Sequence, residues 1–163
     1  MSEVSKSTLI REYSFKFLYH INLALFAALE SSQADEKIQN IIDSFDATLE
    51  EFDNSYSKSD SEHTDNTLDL GQKQKARDLI LGVLNNFSSN VDIVAKLLTK
   101  TTVSKVEKID LCCLLVAIHE INNLSTPKKV ALNEAILIAK KYGGSSSPKF
   151  VNGILDKVIN EGN

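Results

Sequence analysis

The chain has 163 residues, 42% hydrophobic and 25% charged, with six glycines, two prolines and two cysteines. That is enough to bury about two-thirds of the unfolded surface in one core, and it excludes collagen-like, mucin-like, disulfide-rich and wholly disordered classes. The formal net charge of −4 hides an imbalance: residues 30–70 carry twelve carboxylates against two lysines, net −10, so the remainder is net +6. Such numbers describe a basic body with an acidic insertion rather than a uniformly acidic protein.

No targeting segment is expected. The start, Met1 to Lys6, lacks the apolar run of a signal peptide, and Leu111 to Ile118 is the longest apolar stretch. Crossing a bilayer takes about 20 such residues. Cys112 and Cys113 are adjacent, and on a helix they point about 100° apart, so they cannot form an ordinary bridge to each other. A cytoplasmic, reduced, membrane-free protein is expected.

Helical periodicity dominates from the start. Leu9, Ile10, Tyr13, Phe17, Ile21 and Leu25 recur at spacings of three and four, which predicts one amphipathic helix of about twenty residues. Ile38, Ile41, Ile42, Phe45, Leu49 and Phe52 predict a second. From Asp53 to Gly71 the chain is rich in Ser, Asp, Asn and Thr and reads as a long mobile loop. Arg77 to Phe87 is helical again, and Ser88-Ser89-Asn90 signals a turn before Val91, Val94, Leu97 and Leu98.

Ser104-x-x-Glu107 has the spacing of a capping box. The segment after it, to about Ile121, is apolar on nearly all faces, as a central buried helix would be. Thr126-Pro127 and Ser147-Pro148 are start signals, and Gly143 is a stop, since glycine accepts the left-handed conformation at a helix end. No alternating strand pattern is found. The expectation is an all-α, single-domain bundle of six or seven helices spanning residues 1–163, with the acidic insertion at about 53–71.

The chemistry-bearing residues point away from catalysis. His20, His63 and His119 are scattered and share no metal-ligand spacing with the cysteines, so no metal is expected. Both cysteines lie in the most apolar helix, where a thiol is packing material. Gly143-Gly144-Ser145-Ser146-Ser147 lacks the Gly-Lys-Ser/Thr ending of a phosphate loop and follows a helix instead of a strand. No catalytic residue and no cofactor are assigned.

Three runs carry a more specific signal. They are Asp110 to Glu120, preceded by Arg77-Asp78-Leu79-Ile80-Leu81-Gly82-Val83; Val130-Ala131-Leu132-Asn133-Glu134-Ala135, leading to Ala139-Lys140-Lys141-Tyr142-Gly143; and Pro148-Lys149-Phe150-Val151-Asn152-Gly153-Ile154-Leu155-Asp156-Lys157. In this order the chain resembles the NusB family of bacterial transcription antitermination factors, and Arg11-Glu12 through Tyr19 fits that family's start. The resemblance covers about residues 5–29 and 72–160 and lapses over the insertion.

The resemblance implies a non-enzymatic, RNA-binding adaptor of NusB-like helical fold. Such proteins pair with NusE, a small-subunit ribosomal protein, bind the single-stranded boxA element of nascent ribosomal RNA leaders, and reach RNA polymerase indirectly. By the same resemblance Lys6, Arg11, Lys16, Tyr19, Lys149 and Phe150 face RNA, and Asp110 and Leu98 face the protein partner. The family's N-terminal basic cluster is thinned here to Lys6 and Arg11, with Lys16 further on, which implies weaker affinity and a flatter salt dependence. Tyr19 sits beside RNA or at the edge of the core. Phe150 stacks on a base or packs inward with Val151, Ile154 and Val158. Asp110 meets a basic partner side chain or serves as a first-turn helix acid. Leu111 and Leu115 stand where the family often has arginines, and His119 where it has tyrosine. These departures imply a tighter protein interface, a homodimer or deeper burial. Gly153 within a helix implies close packing against a neighbour. The alternative to an RNA adaptor is a partner-binding protein or homodimer with weakened RNA affinity.

Overall fold

Period-3.6 patterning without strand signals resolves into nine helices among the described residues, 5–59 and 68–161 of the computed structural model. They are α1 (Lys6–His20), α2 (Asn22–Leu29), α3 (Ala34–Asp43), α4 (Phe45–Ser59), α5 (Leu70–Asn85), α6 (Phe87–Leu97), α7 (Lys108–Asn123), α8 (Lys128–Tyr142) and α9 (Ser147–Glu161). A 3-10 turn, Val103–Lys105, leads into α7. None of the helices is long and apolar enough to cross a membrane. The chain divides within α5 into two compact units, Met1–Leu81 and Gly82–Asn163.

The count exceeds six or seven because two expected helices are broken. The first is interrupted at Ile21, where the Asn22 side-chain amide donates to the Tyr19 carbonyl. The second breaks at Ser44, whose hydroxyl donates to the Asn40 carbonyl at 3.1 Å. Such local side-chain bonds offer the backbone an alternative to continued helix. The turn expected at Ser88–Asn90 is instead the first part of α6, and the interruption lies at Asn86. The loop expected from Asp53 is helical through Ser59, and its continuation over 60–67 lies outside the described residues.

In the N-terminal unit the core is aromatic. Phe17, fully buried, meets the rings of Phe45 and Phe52 edge-on at 5.5 and 5.4 Å, and Tyr13 meets Phe52 at 5.3 Å. Edge-to-face pairs of this kind contribute about 0.5–1.5 kcal/mol beyond their burial. Several acids of the insertion turn onto this unit's own donors: Asp53 accepts from the Tyr13 hydroxyl and lies 3.9 Å from the Lys73 ammonium. Arg77 pairs with Asp46 and lies 5.1 Å over the Phe45 ring. A capping box does form, at the start of α5. Gln72 N–H donates to the Asp69 carboxylate, and Asp69 N–H donates to the Gln72 side-chain carbonyl, both at 2.8 Å. The Ser104–Glu107 pair forms none, because α7 begins only at Lys108 and Glu107 makes no side-chain cap.

In the C-terminal unit α7 is the central helix, buried at every position from Asp110 to Glu120 and packed by α6, α8 and α9. Leu111, Leu115 and His119, the positions of the family departures, are all buried within it. Helix α8 presents Ala131, Ala135 and Ala139, one turn apart, a row of small residues that lets neighbouring helices approach closely. Gly143 ends α8 with extended backbone, φ −87°, rather than the left-handed turn expected. Its glycine is required by proximity instead: a Cβ there would lie 2.6 Å from Ser147 Cβ and 2.7 Å from the Ala139 carbonyl oxygen. Gly153, expected to pack closely, is exposed, and a Cβ built on it meets nothing within 4 Å.

Candidate functional site

The C-terminal unit carries an open groove of about 750 Å³. It is framed by the end of α6, the connection through the 3-10 turn, the start of α7 and one face of α9. Lys149, Gly153 and Lys157 fall at i, i+4 and i+8 of α9, so helix geometry alone puts them along one side. Apolar contributions come from Leu97, Leu98, Val106, Phe150 and Ile154, and charge comes from Lys100, Lys105, Lys149, Lys157, Glu107 and Asp110.

Four of the eight sequence-derived site residues meet here: Leu98, Asp110, Lys149 and Phe150. Phe150 is half-buried and Lys149 exposed, while the inward face of α9 belongs to Val151, Ile154, Leu155 and Val158. The other four, Lys6, Arg11, Lys16 and Tyr19, lie on α1 in the N-terminal unit. Lys6 is exposed, and Tyr19 is 41% exposed and stacks on Phe15 at 6.4 Å. Lys16 is 3.8 Å from Glu12. Arg11 is only 8% exposed, because it shares the inward phase of α1 with Ser14, Phe15 and Leu18.

The start of α9 is tightly specified. Ser147 is buried; its hydroxyl accepts from Gly144 N–H at 3.1 Å, and its own N–H donates to the Gly144 carbonyl. The same hydroxyl donates to Asp110, so α7 and α9 are tied together beside the groove. Burial raises the Asp110 carboxyl above its ordinary range, the Ser147 bond opposes this, and the nearby Glu107 charge adds to it. Asp110 Oδ1 is buried with no hydrogen-bond partner. A carboxylate oxygen in that condition has an acceptor position unfilled by the chain itself.

Elsewhere in α7 burial favours the neutral forms of both thiols and of His119. Burial pushes the Cys112 thiol up to about 12 and raises Cys113 further, the latter also through its neighbour Cys112 and Asp110. Burial lowers His119, against a hydrogen bond with Asn123 that raises it. Among the described residues no group of three or more His, Cys, Asp or Glu is placed to hold a metal ion. Three groove residues escaped the sequence reading: Lys100, Lys105 and Lys157. Only Lys157 had a legible signal, its two-turn spacing from Lys149; the other two flank a connection whose path is set by tertiary packing.

The family model described as "NusB family" matches residues 8–160, a span that covers both units. This chain belongs to the NusB family. The transcription antitermination protein NusB of Clostridium botulinum is 27% identical over 152 residues, 93% of this chain and 96% of that protein. NusB of Acetivibrio thermocellus is 29% identical over 150 residues, 91% of this chain and 85% of that protein. A solved structure of T. maritima NusB has a TM-score of 0.65 at 25% identity, covering 98% of this chain and 94% of that one. The fold also recurs in a structure of the antitermination factors NusB and NusE in complex with double-stranded RNA. There the TM-score is 0.66 at 17% identity, over 96% of this chain and 97% of that one.

Proposed function

We propose that this NusB-family chain is a cytoplasmic transcription antitermination factor, a non-enzymatic adaptor that pairs with NusE and binds boxA RNA. What carries the reading is the groove of the C-terminal unit. It collects a half-buried aromatic, Phe150, and cationic Lys149 beside Asp110 and Leu98, the residues through which the family resemblance expects protein contact. An aromatic ring flanked by cations suits an unpaired base and its phosphates. Asp110, an acid lining this groove, suits a basic partner side chain. Thiols held protonated within α7 make poor nucleophiles, in keeping with a non-catalytic role. The matched span includes both units, which supports one function for the two.

The test is binding of a boxA-containing RNA with and without NusE at two salt concentrations. Salt-sensitive binding that NusE strengthens is the expected result; binding to neither overturns the proposal. Asp110→Asn should weaken the NusE complex while leaving far-UV circular dichroism unchanged, and a complex of normal strength would remove Asp110 from the interface. One observation favours the alternative, a partner-binding protein with reduced RNA affinity. On α1 Arg11 is buried and Lys16 faces Glu12, which leaves Lys6 as the exposed cation of the family's N-terminal cluster.

A further inference from the structure

Charge divides sharply at the boundary between the units. Residues 1–81 carry eight lysines and arginines against fifteen carboxylates, and residues 82–163 carry ten lysines against seven, so the second unit is net +3 and the first net −7. Within the basic unit, Lys100, Lys105 and Lys149 are all exposed and line the groove around Phe150. Among the described residues none of these three has an ion-pair partner. Lys157 is committed differently: its ammonium donates to the Leu97 carbonyl at 3.4 Å and caps the end of α6. On α1, by contrast, Arg11 is buried with an interaction partner and Lys16 pairs with Glu12. A cation already buried or paired releases few phosphate counterions on binding, whereas an uncommitted one releases its full share.

We propose that in this chain the RNA strand is held along the groove by Lys100 and Lys105 together with Lys149, so that the phosphate contacts have moved from α1 to the connection between α6 and α7. The inference rests on the RNA-binding reading above and adds two residues to it. The occupant is single-stranded RNA because the groove combines uncommitted cations with an aromatic that a free base can reach. Asp110 and Leu98, which the reading above gives to the protein partner, line the same groove but are not among the exposed cations that would hold phosphate.

The experiment compares the parent, Lys100→Ala/Lys105→Ala and a control pair, Lys129→Ala/Lys140→Ala. The control residues are exposed lysines of α8 that do not line the groove. Affinity for a labelled boxA RNA is measured with NusE present, from about 50 to about 200 mM salt. Each lost phosphate contact flattens the log–log salt slope by about 0.7 for a single strand, so the groove variant should be shallower by about 1.4. Its deficit relative to the parent should therefore shrink about sevenfold across that range. The control should keep the parent's slope, and all three proteins should melt alike.

A parent slope in the groove variant overturns the proposal while leaving RNA binding standing. An equal change in the control also overturns it, in favour of a general field. Weakened NusE binding by the groove variant without RNA would assign Lys100 and Lys105 to the protein partner and overturn the proposal. A parent that shows no salt-sensitive RNA binding at all removes the underlying reading and this inference with it.

Discussion

Replacing Gly153 by alanine should make the protein more stable. Gly153 is the seventh residue of α9, exposed, and an added Cβ would meet no heavy atom within 4 Å. The steric term is therefore absent, and the backbone preference of a helix interior is what remains. Glycine is about 1 kcal/mol less favourable than alanine there, largely because its unfolded chain has more conformations to lose. For a chain of this length about 1 kcal/mol corresponds to a rise in melting temperature of about 2–4 °C. Thermal and urea unfolding followed by far-UV circular dichroism would measure it, and an unchanged or lowered midpoint would refute the reasoning. Because Gly153 also lines the groove, the same variant reports on function. A ligand passing over this stretch should bind more weakly to the stabilised protein, so stability and affinity should move in opposite directions.

Gly82→Ala should do the reverse, since a Cβ there would lie 2.3 Å from His119 Nε2 inside the C-terminal unit. Overpacking of about 1–3 kcal/mol should outweigh the gain in helix propensity, and adding His119→Ala should relieve it; a neutral Gly82→Ala in unfolding experiments would contradict the packing. Burial lowers the His119 pKa, so between the folded value and the ordinary 6.5 the unfolded chain binds the extra proton. Its contribution to stability is then complete above about 6.5 and lost as pH falls towards the folded value. Unfolding midpoints of His119→Gln should accordingly decline less than those of the parent on mild acidification. With Cys112 pushed up to about 12 and Cys113 higher still, neither thiol should react with a thiolate-selective reagent near neutral pH until the protein unfolds. Rapid labelling of the native protein would show that α7 opens.

Most helices were legible because burial repeats every three to four residues, and α7 stood out because its apolar character extends around the helix. The breaks at Ile21 and Ser44 were not legible, since the apolar phase runs through both and a single local side-chain bond decides each. Glycines were misread for a related reason. Sequence marks that a glycine is present but not whether conformation or proximity demands it. Gly143 answers to Ser147, Gly82 to His119, and Gly153 to nothing. The capping-box spacing at Ser104/Glu107 is not used, whereas that at Asp69/Gln72 is, because only there does the helix start at the right residue. At the site, resemblance picked out Asp110, Leu98, Lys149 and Phe150 separately, while their convergence needed the packing of α6, α7 and α9. The burial of Arg11 was there to be read, because Ser14, Phe15 and Leu18 follow it at three, four and seven residues.

The contact between Asp53 on α4 and Lys73 on α5, at 3.9 Å, lies on either side of residues 60–67. A partly exposed ion pair of this kind contributes about 0–1 kcal/mol, so raised salt should weaken it while leaving the Tyr13 hydroxyl's bond to Asp53 in place.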